Sequence, residues 1–331
     1  MNPSKDFLMD YGNGIVAIDS GYGRPQLAAI HLMMEQGRAA LIDTATQHAV
    51  PRVMNTLAHY DIAPTQVDYV ILTHIHLDHA GGAGALLREL PNAQLIVHPL
   101  GARHIAEPAK LIAGTVAVYG EEKFRRLYGE ILPIDRSRII TAEHEQTLSL
   151  AGRKLTLFHT PGHARHHICI RDAITGHFFT GDTFGLSYRE CDQNGRQHIC
   201  PTTTPVHFDP EALHHSIDLI LSWQPQALYL THYGQVTDIP RMGADLHRLI
   251  DALVKTAQSL KTTGTQRHQD LKMAIQNIML EEARQHSWGL QGEALLKLLE
   301  MDIELNAQGL AVWLDHKNDS IHNKNIADSS S

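Results

Sequence analysis

Thr73-His74-Ile75-His76-Leu77-Asp78-His79-Ala80-Gly81-Gly82 places four potential metal ligands within six consecutive residues. The stretch follows Val67-Asp68-Tyr69-Val70-Ile71-Leu72, an apolar, β-branched and aromatic run with no breaker, which reads as a buried strand. After it, Gly81, Gly82 and Gly84 suggest a tight turn, and Ala85 to Leu90 reads as a helix. A strand ending in imidazoles and a carboxylate is a poor way to build a core. Neutral imidazole and carboxylate are the donor set of zinc, iron or manganese. The chain has 24 histidines among its 331 residues, so clustering alone proves little. The argument therefore turns on whether other parts of the chain supply further ligands.

They do, and always at the same kind of place. Asp43 closes the strand Ala39–Asp43, which returns from a hairpin turn at Glu35-Gln36-Gly37-Arg38. His163 follows the hairpin built from 147–150 and 154–159, in Thr160-Pro161-Gly162-His163. Asp182 ends the strand 177–180 in Thr180-Gly181-Asp182-Thr183, and His232 ends the strand 227–230 in Thr231-His232-Tyr233-Gly234. Each has a plain alternative as a turn, cap or surface residue. Ligands from several strand ends can nevertheless converge on one rim of a sheet structure, with loops free to vary around a rigid scaffold.

Composition narrows the setting. A hydrophobic share of 43% and a charged share of 19% suit a globular protein with a large core. The formal charge of −8, with no basic run, gives no reason to expect nucleic acid or an anionic membrane as partner. The first residues lack a long apolar segment, and no stretch is long enough to span a bilayer. Three cysteines, Cys169, Cys191 and Cys200, are too few and too odd in number for a disulfide framework, so a cytoplasmic setting is expected. Pairing of Cys191 with Cys200 stays open.

At these residues the chain resembles the metallo-β-lactamase-fold superfamily. The His-x-His-x-Asp-His motif is complete at His74, His76, Asp78 and His79, and Asp43, His163, Asp182 and His232 follow the family's order. The resemblance spans about residues 14–240. It implies an α/β (α+β) fold, an αββα sandwich with the site at one edge of two packed sheets. It also implies two divalent ions, zinc first, with iron or manganese as alternatives. His74, His76 and His163 would hold one ion, Asp78, His79 and His232 the other. Asp182 would bridge both beside a water or hydroxide, making Asp78 and Asp182 the catalytic carboxylates. Asp43 would orient a ligand imidazole, and His166 and His167 would lie close by. The implied activity is hydrolysis of a small ester, lactone, thioester or phosphoester. The alternative is a non-hydrolytic iron protein of the same fold, a dioxygenase or a dioxygen-binding di-iron sensor.

Substrate is less legible. His79 stands where B1-type β-lactamases lack histidine, and His76 where flavodiiron proteins carry Glu. Acyl-homoserine lactonases place Tyr where Gly185 stands here. Thr-Pro-Gly-His is shared with glyoxalase-II-like thioesterases, whose basic glutathione anchors have no match, and with a hydrolase-like branch without an assigned substrate. Tyr188, His207 and Tyr233 are candidates for the general acid on position alone, and the loop 201–209 is expected over the pocket.

The domain reading is a metallo-β-lactamase-like unit at 1–240, a helical region at 241–315 and a disordered tail at 316–331. The helical region carries apolar stripes such as Leu246, Leu249, Ile250 and Leu253. It is expected either to close over the pocket or to form a homodimer interface.

Overall fold

Strands of this chain are apolar on both faces because both faces are covered. In β2 (Ile15–Asp19), Ile15 packs between two sheets while Val16 and Ile18 pack under helices. The same period of two runs through the neighbouring strands. The computed structural model describes residues 7–329, with side chains to residue 317.

The first sheet has seven strands in chain order: β1 (Leu8–Asp10), β2, β3 (Ala29–Glu35), β4 (Arg38–Ile42), β5 (Val67–Ile71), β6 (Gln94–Val97) and β7 (Ile139–Thr141). β1 to β4 pair antiparallel, and β4 to β7 pair parallel. The second sheet comprises β8 (Thr147–Leu150), β9 (Arg153–His159), β10 (Ile168–Asp172), β11 (Phe178–Gly181), β12 (Leu228–Leu230) and β13 (Gly234–Val236). All its neighbours are antiparallel except β11 and β12. Ile42, Ile71 and Ile96 of one sheet share a core with Leu157, Ile170 and Phe179 of the other.

Helices α1 (Val50–His59), α2 (Leu77–Ala80) and α3 (Ala83–Glu89) belong to the first half. Residues 99–137 carry α4 (Pro99–Ala106), α5 (Ala109–Tyr119) and α6 (Glu121–Tyr128). α7 (Pro210–Ser222) covers the second sheet, followed by α8 (Ile239–Ser259), α9 (Gly264–Gln285), α10 (Gly292–Leu298) and α11 (Glu300–Ser329). The result is the expected αββα layering with a C-terminal helical extension. Side chains of 318–331, most of the expected tail, lie outside the described residues.

Gly81 and Gly82 form the expected turn before a helix, with right-handed backbone between two short helices. Gly82 is small because a Cβ there would meet the Thr44 and Thr46 carbonyl oxygens at 2.8 Å. All three cysteines are buried and free, so Cys191 and Cys200 do not pair. Among the described residues, no helix is long and apolar enough to cross a membrane.

Candidate metal centre

Two of the parallel pairs, β4 with β5 and β11 with β12, bring their carboxyl ends to one rim of the sandwich. Asp43 and His74 follow one pair; Asp182 and His232 follow the other. The chain after β5 runs extended through His76 and then makes the single turn α2. That change of direction separates the motif into two halves. His74 and His76 face one way with His163, and Asp78 and His79 face His232.

In the first group, His76 Nδ1 lies 2.9 Å from His74 Nε2 and 3.1 Å from His163 Nε2. In the second, Asp78 Oδ2 lies 3.5 Å from His232 Nε2 and 3.8 Å from His79 Nε2. Asp182 spans the two: Oδ2 is 3.4 Å from His163 Nε2, while Oδ1 is 3.3 Å from His79 Nε2 and 3.7 Å from His232 Nε2. Donor atoms about 3 Å apart are what a four-coordinate ion with ~2.0–2.1 Å bonds to imidazole gathers around itself.

Four imidazoles have their far nitrogen engaged by the protein, which aims the near one. His79 Nδ1 donates to Asp43 at 2.8 Å, His163 Nδ1 to Thr202 Oγ1 at 2.7 Å, and His232 Nδ1 to the Leu27 carbonyl at 2.6 Å. His74 Nδ1 lies 3.2 Å from the Thr73 hydroxyl, which itself donates to Asp43. Such partners set the tautomer and raise ligand basicity. The centre is thereby left with buried His79 Nε2 and Asp182 Oδ1 without a hydrogen-bond partner. Orphaned buried polar atoms of this kind fit a site built for divalent cations.

The two groups differ electrically. Burial, reinforced by neighbouring histidines, pushes His74 well down; burial likewise takes His76 to about 3 and His163 to about 4. In the second group burial works in the same direction but loses. Asp182 and Asp78 outweigh it, holding His79 well above the usual histidine range and His232 at about 9. Burial would raise the Asp78 and Asp182 carboxyls, yet His79 foremost, with His232, keeps both low. The metal-free second group therefore carries protons where a cation would sit.

Asp43 accepts the Thr73 backbone N–H at 2.8 Å and the Thr231 hydroxyl at 2.8 Å, besides His79. It joins the ends of β4, β5 and β12. His167 accepts the Asp182 backbone N–H at 3.1 Å and stacks on His74. Gly181, at φ +49°, is required there: a Cβ would lie 2.6 Å from His167 Nε2 and 2.7 Å from Thr73.

Above the centre lies a pocket of about 500 Å³ with His76, Asp78 and Asp182 on its floor. Ile75, Leu77, Leu111, Val118, Met301 and Leu305 make its walls apolar, and Lys110 is a cation at its lining. α5 contributes Leu111 and Val118 although none of its residues is buried. His166 and His207 line the pocket, their rings 5.5 Å apart. Tyr188 and Tyr233 do not. Tyr188 is buried and donates to Asp302 at 3.1 Å, and Tyr233 packs with Ala17 and Ala29. Of the three general-acid candidates, only His207 reaches the pocket.

Sequence reading missed Tyr22 and Tyr128, whose hydroxyls lie 3.2 Å apart in the pocket lining. It also missed Asn306, whose side chain accepts the Thr203 N–H at 2.6 Å and secures the loop carrying Thr202. For the threonines a signal existed: Thr73, Thr160, Thr180 and Thr231 each stand one to three residues before a ligand. Asn306 sits on an amphipathic helix and had none.

Comparison with known proteins agrees with this geometry. Residues 25–232 match the family model of the metallo-beta-lactamase superfamily. The metallo-beta-lactamase fold-containing protein ST1585 of Sulfurisphaera tokodaii is 27% identical over 217 residues, 64% of this chain and 75% of that protein. The crystal structure of ST1585 superposes with a TM-score of 0.63 at 23% identity, covering 90% of this chain and 98% of that one. An acyl-coenzyme A thioesterase, MBLAC2 of Gallus gallus, is 28% identical over 144 residues, 40% of this chain and 47% of that protein. A hydroxyacylglutathione hydrolase of Salmonella paratyphi A is 26% identical over 152 residues, 46% of this chain and 45% of that protein. The chain thus spans under half the length of these two hydrolases. With the matched segment covering the whole ligand series from Asp43 to His232, the chain belongs to the metallo-beta-lactamase superfamily.

Proposed function

We propose that the chain is a dinuclear, metal-dependent hydrolase of esters, thioesters or lactones whose acyl part is apolar. The observation that carries the reading is Asp182, with one carboxylate oxygen against each of two donor groups. His74, His76 and His163 would hold one divalent ion, zinc by preference. Asp78, His79 and His232 would hold the second, and Asp182 would bridge them. Paired ions supply an activated water and a polarised carbonyl at neutral pH.

The chain's own residues do the rest. Asp43, Thr73, Thr202 and the Leu27 carbonyl fix imidazole orientation before substrate arrives. The apolar walls exclude water around the bound acyl part and favour a neutral carbonyl at the reacting end over a charged phosphoester. Burial holds the Tyr22 hydroxyl far above neutrality, so the Tyr22–Tyr128 pair stays protonated. One O–H serves their mutual bond, and Tyr119 is a further side-chain hydrogen-bond partner of Tyr128. Burial holds His166 at about 2, making it a neutral wall residue rather than a proton donor.

The test is turnover by purified, metal-quantified protein of chromogenic esters, thioesters and lactones graded in chain length, beside phosphodiesters. Cleavage that improves with acyl length and scales with zinc content supports the reading. Stoichiometric iron with an oxygen-sensitive absorption band and no hydrolysis would overturn it.

A further inference from the structure

One face of α5 walls the pocket. Leu111, Gly114, Thr115 and Val118 all line it, at the three- and four-residue spacing of a single helix side. Thr115 donates its hydroxyl to the Leu111 carbonyl at 3.0 Å, so this strip leaves no polar hydrogen for a ligand. A Cβ at Gly114 would meet nothing within 4 Å, which makes the middle of the strip an open trough. Lys110 lines the pocket at one end of it, about 12 Å along the helix from Val118.

The charge at that end is unbalanced. Lys110 is exposed and makes no ion pair or hydrogen bond among the described residues. Glu107, one turn before it, is engaged by Arg136 at 2.6 Å. His104, on the last turn of α4, lines the pocket too, as does His207. Burial first, then the charges of Arg165, His316 and His104, push His207 down, which brings a second cation, Arg165, into its surroundings. Among the described residues the lining holds two carboxylates, Asp78 and Asp182, and both belong to the metal centre. A chain of formal charge −8 thus sets a bare ammonium beside its apolar trough with no acid to meet it.

We infer that Lys110, assisted by Arg165, is an anion subsite, and that the substrate's apolar acyl chain ends in a carboxylate. The inference rests on the hydrolase reading above and names its substrate class: half-esters or half-thioesters of dicarboxylic acids. The reacting end lies over His76, Asp78 and Asp182, the methylenes over Gly114, and the terminal carboxylate at Lys110. A lysine is a point charge on a flexible stem, so it selects the sign of that end rather than its shape.

Calorimetric titration of the metal-loaded full chain with decanoate and with decanedioate tests this without turnover. The two acids match in length and share one carboxylate, so engagement of the centre cancels between them. Decanedioate should bind about fivefold tighter. The margin should shrink as salt is raised. K110A/R165A should bind the two alike, and K110E should prefer decanoate. G114L, which fills the trough, should weaken both. Equal affinities in the wild type, or a margin that survives in K110A/R165A, would overturn the subsite. Unchanged binding by G114L would overturn the path along α5. Failure of both acids to bind would sink the apolar-acyl reading itself, and this inference with it.

Discussion

Asn306, on the first turns of α11, accepts the backbone N–H of Thr203 at 2.6 Å across 103 residues of chain. Its neighbour in the loop, Thr202, accepts from His163. The C-terminal extension thus reaches the first ligand group through two hydrogen bonds.

Removing that support should be felt at the metal. Asn306→Ala leaves the buried Thr203 N–H without its acceptor, a loss of about 1–3 kcal/mol. Gly309→Ala tests the same contact by crowding, since a Cβ there would fall 1.5 Å from the Thr203 carbonyl oxygen. Overpacking of this kind costs about 1–3 kcal/mol. Both variants should melt lower and bind the first ion more weakly; wild-type melting and wild-type zinc affinity would refute the link.

The two carboxylates should fail differently. Asp182→Ala withdraws an oxygen from both groups and should abolish the paired centre and its hydrolysis while circular dichroism stays native. Asp78→Ala should chiefly weaken the second ion. Metal counts on both variants check this, and equal loss of both ions in Asp78→Ala would contradict the division of ligands.

Asp43 touches no substrate space, yet three strand ends meet on it. Asp43→Asn keeps the size but exchanges one acceptor oxygen for an amide among four donors. Loss of a partner behind a ligand histidine lowers metal affinity about 10–100-fold. Zinc competition with a chromogenic chelator reads the shift, and an unchanged constant would remove Asp43 from the support of His79.

Acid should strip the ions in order. His232 of the metal-free fold is raised to about 9 by Asp182 and Asp78 against burial, so its proton stabilises that fold fully below the ordinary value near 6.5. That contribution is lost as pH climbs through 9. Metal must displace this proton and the one on His79, so second-ion affinity should rise about a hundredfold per pH unit toward 9. His76 at about 3 and His163 at about 4 are already neutral there, leaving the first ion indifferent to pH above roughly 5. Zinc titrations at several pH values check the order; joint release of both ions would contradict it.

How much of this was readable beforehand depended on the length over which each signal acts. His74, His76, Asp78 and His79 are contiguous, and each distant ligand ends an apolar run, so the rim could be assembled from the chain alone. β1, β7 and β13 are three-residue strands, too short for alternation to mark them. Tyr188 and Tyr233 lie near ligands in sequence but turn into cores, because position along the chain does not say where a side chain points. Asn306 and Asp302 look like ordinary polar residues of an amphipathic helix. Only the packing of α11 gives them work, and that packing is tertiary.

The bond between Thr203 and Asn306 also sets a schedule. During synthesis every ligand from His74 to His232 leaves the ribosome before α11 does. A nascent chain can therefore gather its full ligand set while the loop behind His163 is still untied and the Met301–Leu305 wall is missing. Any ion captured then would sit in an open, hydrated site, and tight retention would begin only when the last helix docks.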